Sequence, residues 1–134
     1  MKICIVFGTR PEIIKLFPLI LELKKNKIEF FIIHTGQHKI FSMGGQFLKF
    51  FNIKVKYELK TNKNFLSETI KKILKIYKKE MPDYIINQGD TNTVLASSLA
   101  YLVLPKTKKI KLIHLEAGLR SFDKTVLEDF SSEE

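Results

Sequence analysis

The chain has one cysteine, no long apolar run, no internal repeat and no low-complexity segment in its 134 residues. Each absence excludes something. No uninterrupted apolar stretch approaches the roughly 20 residues needed to span a bilayer. At the N-terminus a short apolar run after Lys2 is broken at once by Gly8-Thr9-Arg10-Pro11-Glu12. A secretory signal would need a longer apolar core and a small-residue cleavage site, so a cytoplasmic location is expected. The lone thiol, Cys4, supports neither a disulfide framework nor a metal site and reads as a small buried core residue.

What remains is a chain with 45% hydrophobic residues and a formal charge of +9. The first figure fits a globular domain, and the length fits one core and not two. The second raises nucleic-acid binding as a question, and its distribution answers it. Lysines recur as Lys24-Lys25, Lys71-Lys72 and Lys78-Lys79 among Ile, Leu and Phe at helical spacing. That pattern describes solvated helix faces around buried stripes. No nucleic-acid partner is expected, and the positive field instead favours an anionic small ligand such as a nucleotide diphosphate.

The order of elements can be read from periodicity. Lys2 to Gly8 is a near-continuous apolar run, as in a parallel strand covered on both faces. Pro11 falls at the start of a helical pattern, where its missing N–H costs nothing, and Pro18 is a kink risk inside it. Phe30 to Thr35 is a second strand, Phe47 to Phe51 a short helix, and Lys54 to Leu59 a weak strand. Asn64 to Lys79 has an amphipathic stripe stopped by Pro82-Asp83. Tyr84 to Asn87 and Lys109 to Leu115 are strands flanking a helix from Thr91 to about Leu104, with Asp90 placed to cap it. This alternation predicts an α/β doubly wound parallel sheet over residues 1–122. Residues 123–134 change character, with five acids against one lysine, and read as a divergent acidic tail.

Four polar clusters each follow an apolar run: Gly8-Thr9-Arg10-Pro11-Glu12, His34-Thr35-Gly36-Gln37-His38, Gly89-Asp90-Thr91-Asn92-Thr93 and Glu116-Ala117-Gly118-Leu119-Arg120. Parallel strands would bring all four to the sheet edge where open α/β folds bind ligands. The first is no dinucleotide fingerprint, because its third glycine is absent. Its turn and helix start still suit an anion, with Arg10 as a forked donor and Lys15 one helical turn on; the plainer alternative pairs Arg10 with Glu12 or another acid. Asp90 is either a helix cap or a catalytic carboxylate at a strand end. Glu116 follows Leu112-Ile113-His114-Leu115 and is expected to be partly desolvated, which raises a carboxylate's pKa and suits it to proton transfer. Its alternative is an ion pair with Arg120. His34 and His38 flank a Gly-containing loop and not a helical turn, so they suggest no metal site. His38 reads as a loop hydrogen-bond donor and His114 as part of the strand packing.

Taken together, Gly8-Thr9-Arg10-Pro11-Glu12 with Lys15, Thr35-Gly36-Gln37-His38, Gly89-Asp90-Thr91 and Glu116-Ala117-Gly118-Leu119-Arg120-Ser121-Phe122-Asp123 resemble the non-hydrolysing UDP-N-acetylglucosamine 2-epimerases. The resemblance implies one Rossmann-like half of a glycosyltransferase-B architecture, with a cleft between two domains. It implies interconversion of UDP-GlcNAc and UDP-ManNAc by C2 proton removal, UDP elimination to a 2-acetamidoglucal and re-addition, for polysaccharide biosynthesis, with no cofactor and no metal. By that likeness Asp90, Glu116 and Glu128 are catalytic candidates, and Arg10, Lys15, His38 and Arg120 bind substrate. Two departures stand out. The family's Pro-Glu-Glu motif is replaced by Val126-Leu127-Glu128, and the UDP-binding second domain is missing.

The expectation is therefore an epimerase in truncated or split form, inactive alone because half a cleft cannot orient both ends of a substrate. A hydrolysing epimerase that releases ManNAc and UDP is the enzymatic alternative. A binding or assembly module is the non-catalytic one, with a separate C-terminal-half chain or a second copy as partner.

Overall fold

The computed structural model describes residues 1–36, 48–61, 64–106 and 108–116. Its elements in chain order are β1 (Lys2–Phe7), α1 (Arg10–Lys25), β2 (Glu29–His34), β3 (Tyr57–Glu58), α2 (Phe65–Glu80), β4 (Tyr84–Gln88), α3 (Asn92–Leu102) and β5 (Lys111–Leu115). The strands form one sheet in the order β3-β2-β1-β4-β5, every pair parallel. This is the expected Rossmann-like doubly wound architecture.

Alternation along the strands builds two cores. Ile3, Ile5 and Phe7 of β1 face α1, meeting Ile13, Leu16, Ile20 and Leu23. Cys4 and Val6 face the other way, toward Ile73, Ile76 and Tyr77 of α2 and Ala96 and Ala100 of α3. With helices on both faces β1 has no wet side, which explains its continuous apolar run. Cys4 is fully buried, and that burial pushes its thiol pKa well up. Pro18 is accommodated within the 16 residues of α1.

Several boundaries differ from the sequence expectation. The weak strand over 54–59 contracts to the two residues of β3, and β5 starts at Lys111 rather than Lys109. Only residues 48–50 of the expected short helix are helical among those described. Thr91 and not Asp90 stands at the N-cap position of α3, without a side-chain hydrogen bond to the helix. The cause is Gly89, whose φ of +89° turns the chain, so that Thr91 is the extended residue before the first helical one and Asp90 falls one place too early. At the other end Val103 has left the helix, ahead of Pro105, which cannot extend it.

On the face covered by α2, the side chain of Glu80 is only 6% exposed and gathers three donors. Lys56 Nζ lies 2.7 Å from Oε2, Lys2 Nζ lies 3.0 Å from Oε1, and the Tyr57 hydroxyl also donates to Oε2. The cluster ties the ends of β1 and α2 to the edge strand β3. The Lys56 and Tyr57 hydrogen bonds hold the Glu80 carboxyl down at about 2, while burial and Glu80 push Tyr57 up to about 12.

At the opposite, carboxyl edge, Gly8 sits under two hydroxyls. Thr35 Oγ1 and Thr93 Oγ1 are 2.8 Å apart and both residues are fully buried. A Cβ at residue 8 would lie 2.0 Å from Thr93 Oγ1 and 2.5 Å from Thr35 Oγ1. Only glycine lets the ends of β1 and β2 and the start of α3 meet there.

Three substitutions test these contacts. Gly8→Ala must displace the Thr35 and Thr93 side chains in a close-packed site, at an overpacking cost of roughly 1–3 kcal/mol, measured by chemical denaturation. Gly89→Ala meets no atom within 4 Å and incurs only backbone strain of about 1–2 kcal/mol. Because the folded Glu80 pKa lies below its unfolded value, its contribution is complete above about pH 4.5 and is lost as pH falls toward 2. Glu80→Gln should lower stability at neutral pH by roughly 1–3 kcal/mol and flatten the stability profile across that window.

Candidate active site

The order in which strands are added reverses between β1 and β4. From β1 the chain winds outward to β2 and β3, then returns to β4 and β5 on the other side. The crevice above such a switch point is the usual ligand position in open α/β sheets. Because all strands are parallel, Gly8–Glu12, Thr35–Gly36, Gly89–Asp90 and Glu116 emerge at that one edge. The expected convergence of the four clusters holds for every described member. Gly89 borders open space, and Arg10 and Asp90 are exposed.

The β1–α1 loop departs from its expected role as an empty anion cradle. Glu12 is 2% exposed and folds back over the loop. Its Oε1 accepts the Gly8 N–H at 3.2 Å and its Oε2 accepts the Thr9 hydroxyl at 2.6 Å. The loop therefore holds its own carboxylate. Thr9 is at the N-cap position of α1 and Glu12 stands three residues on, so the sequence carries a Thr-x-x-Glu pattern; its bonds are not those of a capping box, because the Thr9 side chain makes no cap bond and Glu12 reaches the Gly8 N–H instead.

Glu116 is the first residue beyond β5 and has a left-handed backbone, φ +65°. For a residue with a side chain this costs on the order of 1–2 kcal/mol, and such strain gathers at functional sites. Its carboxylate meets Lys15 Nζ at 2.9 Å, with side-chain exposures of 51% for Lys15 and 28% for Glu116. Lys15 projects from the second turn of α1, so the pair crosses from α1 to the edge strand. At this exposure an ion pair is worth only about 0–1 kcal/mol. Its consequence is orientation: the carboxylate is aimed at the switch point with an ammonium beside it. Glu116 is thus partnered by Lys15, while Arg120, its alternative partner, lies outside the described residues, as do His38 and Glu128.

Three further contacts at this edge were not anticipated. His34, on β2 and buried, stacks on Phe7 with ring centroids 4.7 Å apart. It donates Nδ1–H to Glu58 at 2.7 Å, joining β2 to β3. Asn87, also buried, contacts His114 Nδ1 at 2.5 Å across β4 and β5. The Thr35–Thr93 contact completes the set. None has a periodicity or motif, because each depends on strands brought together only by the fold.

A family model described as UDP-N-acetylglucosamine 2-epimerase matches residues 21–131. A Methanocaldococcus jannaschii UDP-N-acetylglucosamine 2-epimerase is 44% identical over 98% of this chain and 36% of its own length. A Methanococcus maripaludis protein of the same name is 44% identical over 96% of this chain and 35% of its own length. Among solved structures, the M. jannaschii enzyme in complex with UDP-GlcNAc and UDP aligns over 93% of this chain and 35% of its own, with a TM-score of 0.76 and 43% identity. The Neisseria meningitidis enzyme bound to UDP-GlcNAc aligns over 92% of this chain and 34% of its own, at TM-score 0.72 and 38% identity. The chain spans about a third of the length of these relatives. It belongs to the UDP-N-acetylglucosamine 2-epimerase family.

Proposed function

We propose that this chain forms one wall of a nucleotide-sugar cleft and carries the proton-transfer side of a UDP-GlcNAc 2-epimerase reaction. The observation that carries the reading is the Lys15–Glu116 pair at the switch point of the sheet. Epimerisation at C2 needs a placed base for the C2 proton and positive charge near the departing diphosphate. Glu116 serves as the proton acceptor or donor, and Asp90, exposed on the neighbouring loop, serves as its counterpart. Arg10 and Lys15 face the phosphates or the developing charge.

In this reading residues 1–122 are the Rossmann-like half of a glycosyltransferase-B arrangement and the cytoplasm is the place of action. Glu128, His38 and Arg120 complete the wall. The opposing wall, which holds the uridine diphosphate, comes from polypeptide outside these 134 residues. Without it the wall has no means of excluding water or fixing both ends of the substrate.

A chimera tests the reading. Replacing the matching third of the M. jannaschii enzyme with this chain should give a protein that converts UDP-GlcNAc to UDP-ManNAc. In D₂O the product should carry deuterium at C2, as read by proton NMR. Glu116→Gln in the chimera should slow the reaction by about 10²–10⁴-fold, the usual worth of a placed acid or base. Free ManNAc with UDP would assign the hydrolysing reaction instead. Unchanged, undeuterated UDP-GlcNAc would remove the proposal.

A further inference from the structure

Behind the edge that carries Glu116 lies a buried polar knot whose proton positions can be assigned. Asn87 is fully buried near the end of β4. Its side chain touches Ser97 Oγ at 2.8 Å and Ser98 Oγ at 3.2 Å on α3, and His114 Nδ1 at 2.5 Å on β5. A carboxamide can point either way in such a knot, so its orientation must come from its neighbours. Ser97 decides it. The hydroxyl of Ser97 donates its single proton to the Val94 carbonyl at 3.1 Å, so toward Asn87 it can only accept. The amide nitrogen of Asn87 therefore faces the serines, and its oxygen faces His114. An amide oxygen only accepts, so His114 Nδ1 carries a proton, and the neutral ring keeps its lone pair on Nε2.

Residue 114 is two places before Glu116, and Asn87 stands opposite it in the β4–β5 register. One residue further, the Gly89 N–H donates to the Leu115 carbonyl at 3.3 Å. That is a long backbone bond next to a strained left-handed residue on an edge strand. The Asn87–His114 bond is a side-chain fastening at this end of β5, and Asn87 is in turn anchored to α3.

We propose that Asn87 is a positioning residue for Glu116, acting through His114 to hold the end of β5 so that the left-handed turn delivers the carboxylate to Lys15. Its catalytic meaning rests on the reading of Glu116 given above. The positioning itself is a property of the ligand-free chain. Asn87 touches no substrate; it fixes the tautomer of one residue and, through the backbone, the direction of another.

NMR of the 134-residue chain, carrying nitrogen-15 at histidine and lysine and carbon-13 at the glutamate carboxyls, tests this without substrate. The wild type should show His114 as the Nδ1–H tautomer and a Lys15 ammonium resonance coupled through its hydrogen bond to the Glu116 carboxylate. Asn87→Leu keeps the volume and removes the acceptor; His114 should change to the Nε2–H tautomer and the Lys15–Glu116 coupling should be lost. Asn87→Asp keeps an acceptor and should preserve both signatures, which separates the hydrogen bond from packing. An Nε2–H tautomer in the wild type would overturn the proposal. So would an Asn87→Leu protein in which the tautomer changes while the Lys15–Glu116 coupling persists. Should neither variant fold, the wild-type tautomer decides by itself. UDP-GlcNAc is absent from this experiment, so a failed epimerase reading would leave its outcome unchanged, and a failed proposal here would leave the chimera test standing.

Discussion

The carboxyl edge of this sheet closes over Gly8, where the hydroxyls of Thr35 and Thr93 meet at 2.8 Å in the volume a side chain would fill. The contact joins the end of β2 to the first turn of α3 across the top of β1. Much of the proposed site starts from those places: Arg10 opens α1, Lys15 lies in its second turn, and the loop before α3 carries Asp90, while Glu116 comes from the end of β5. If residue 8 had a Cβ, the Thr35 and Thr93 side chains would have to move from the place where the three segments meet.

Polar groups act in two different ways in this molecule. The Glu80 cluster is a fastening: a nearly buried carboxylate with three donors, well satisfied and remote from the switch point. Glu12 is a fastening too, since its carboxylate is consumed by the loop it belongs to. The Lys15–Glu116 pair is of the other kind. It is accessible, worth little in stability, and attached to a backbone conformation that a side chain adopts only under constraint. Such an arrangement has more to offer a ligand than the fold.

The elements themselves were legible in the sequence because periodicity is local. The buried run of β1 and the stripe of α2 both follow from which residues face a core, and the parallel order then brings the four clusters to one edge. What stayed hidden depends on contacts between distant segments. Asn87 reads as one more polar residue near a strand end until β5 and α3 are beside it. Asp90 read as a helix cap because sequence spacing does not reveal that Gly89 turns with a positive φ and hands the N-cap position to Thr91. The sequence offers Glu116 a neighbour, Arg120, as partner, whereas the fold supplies Lys15 from 101 residues away. Glu12 is the exception: its Thr-x-x-Glu pattern with Thr9 was readable and marks a loop already filled by its own carboxylate.

The central claim is that nucleotide sugar meets this chain at the carboxyl edge of the sheet, over Gly8 and beside Glu116. Amide chemical-shift mapping of the labelled chain with millimolar UDP-GlcNAc addresses it directly. The account predicts shifts concentrated at Gly8, Thr9, Arg10, Gly89, Asp90 and Glu116, with the strand starts at Lys2, Tyr84 and Lys111 unmoved. Shifts confined to the lysines at the amino edge, Lys106, Lys108 and Lys109, or none at the carboxyl edge, would contradict it.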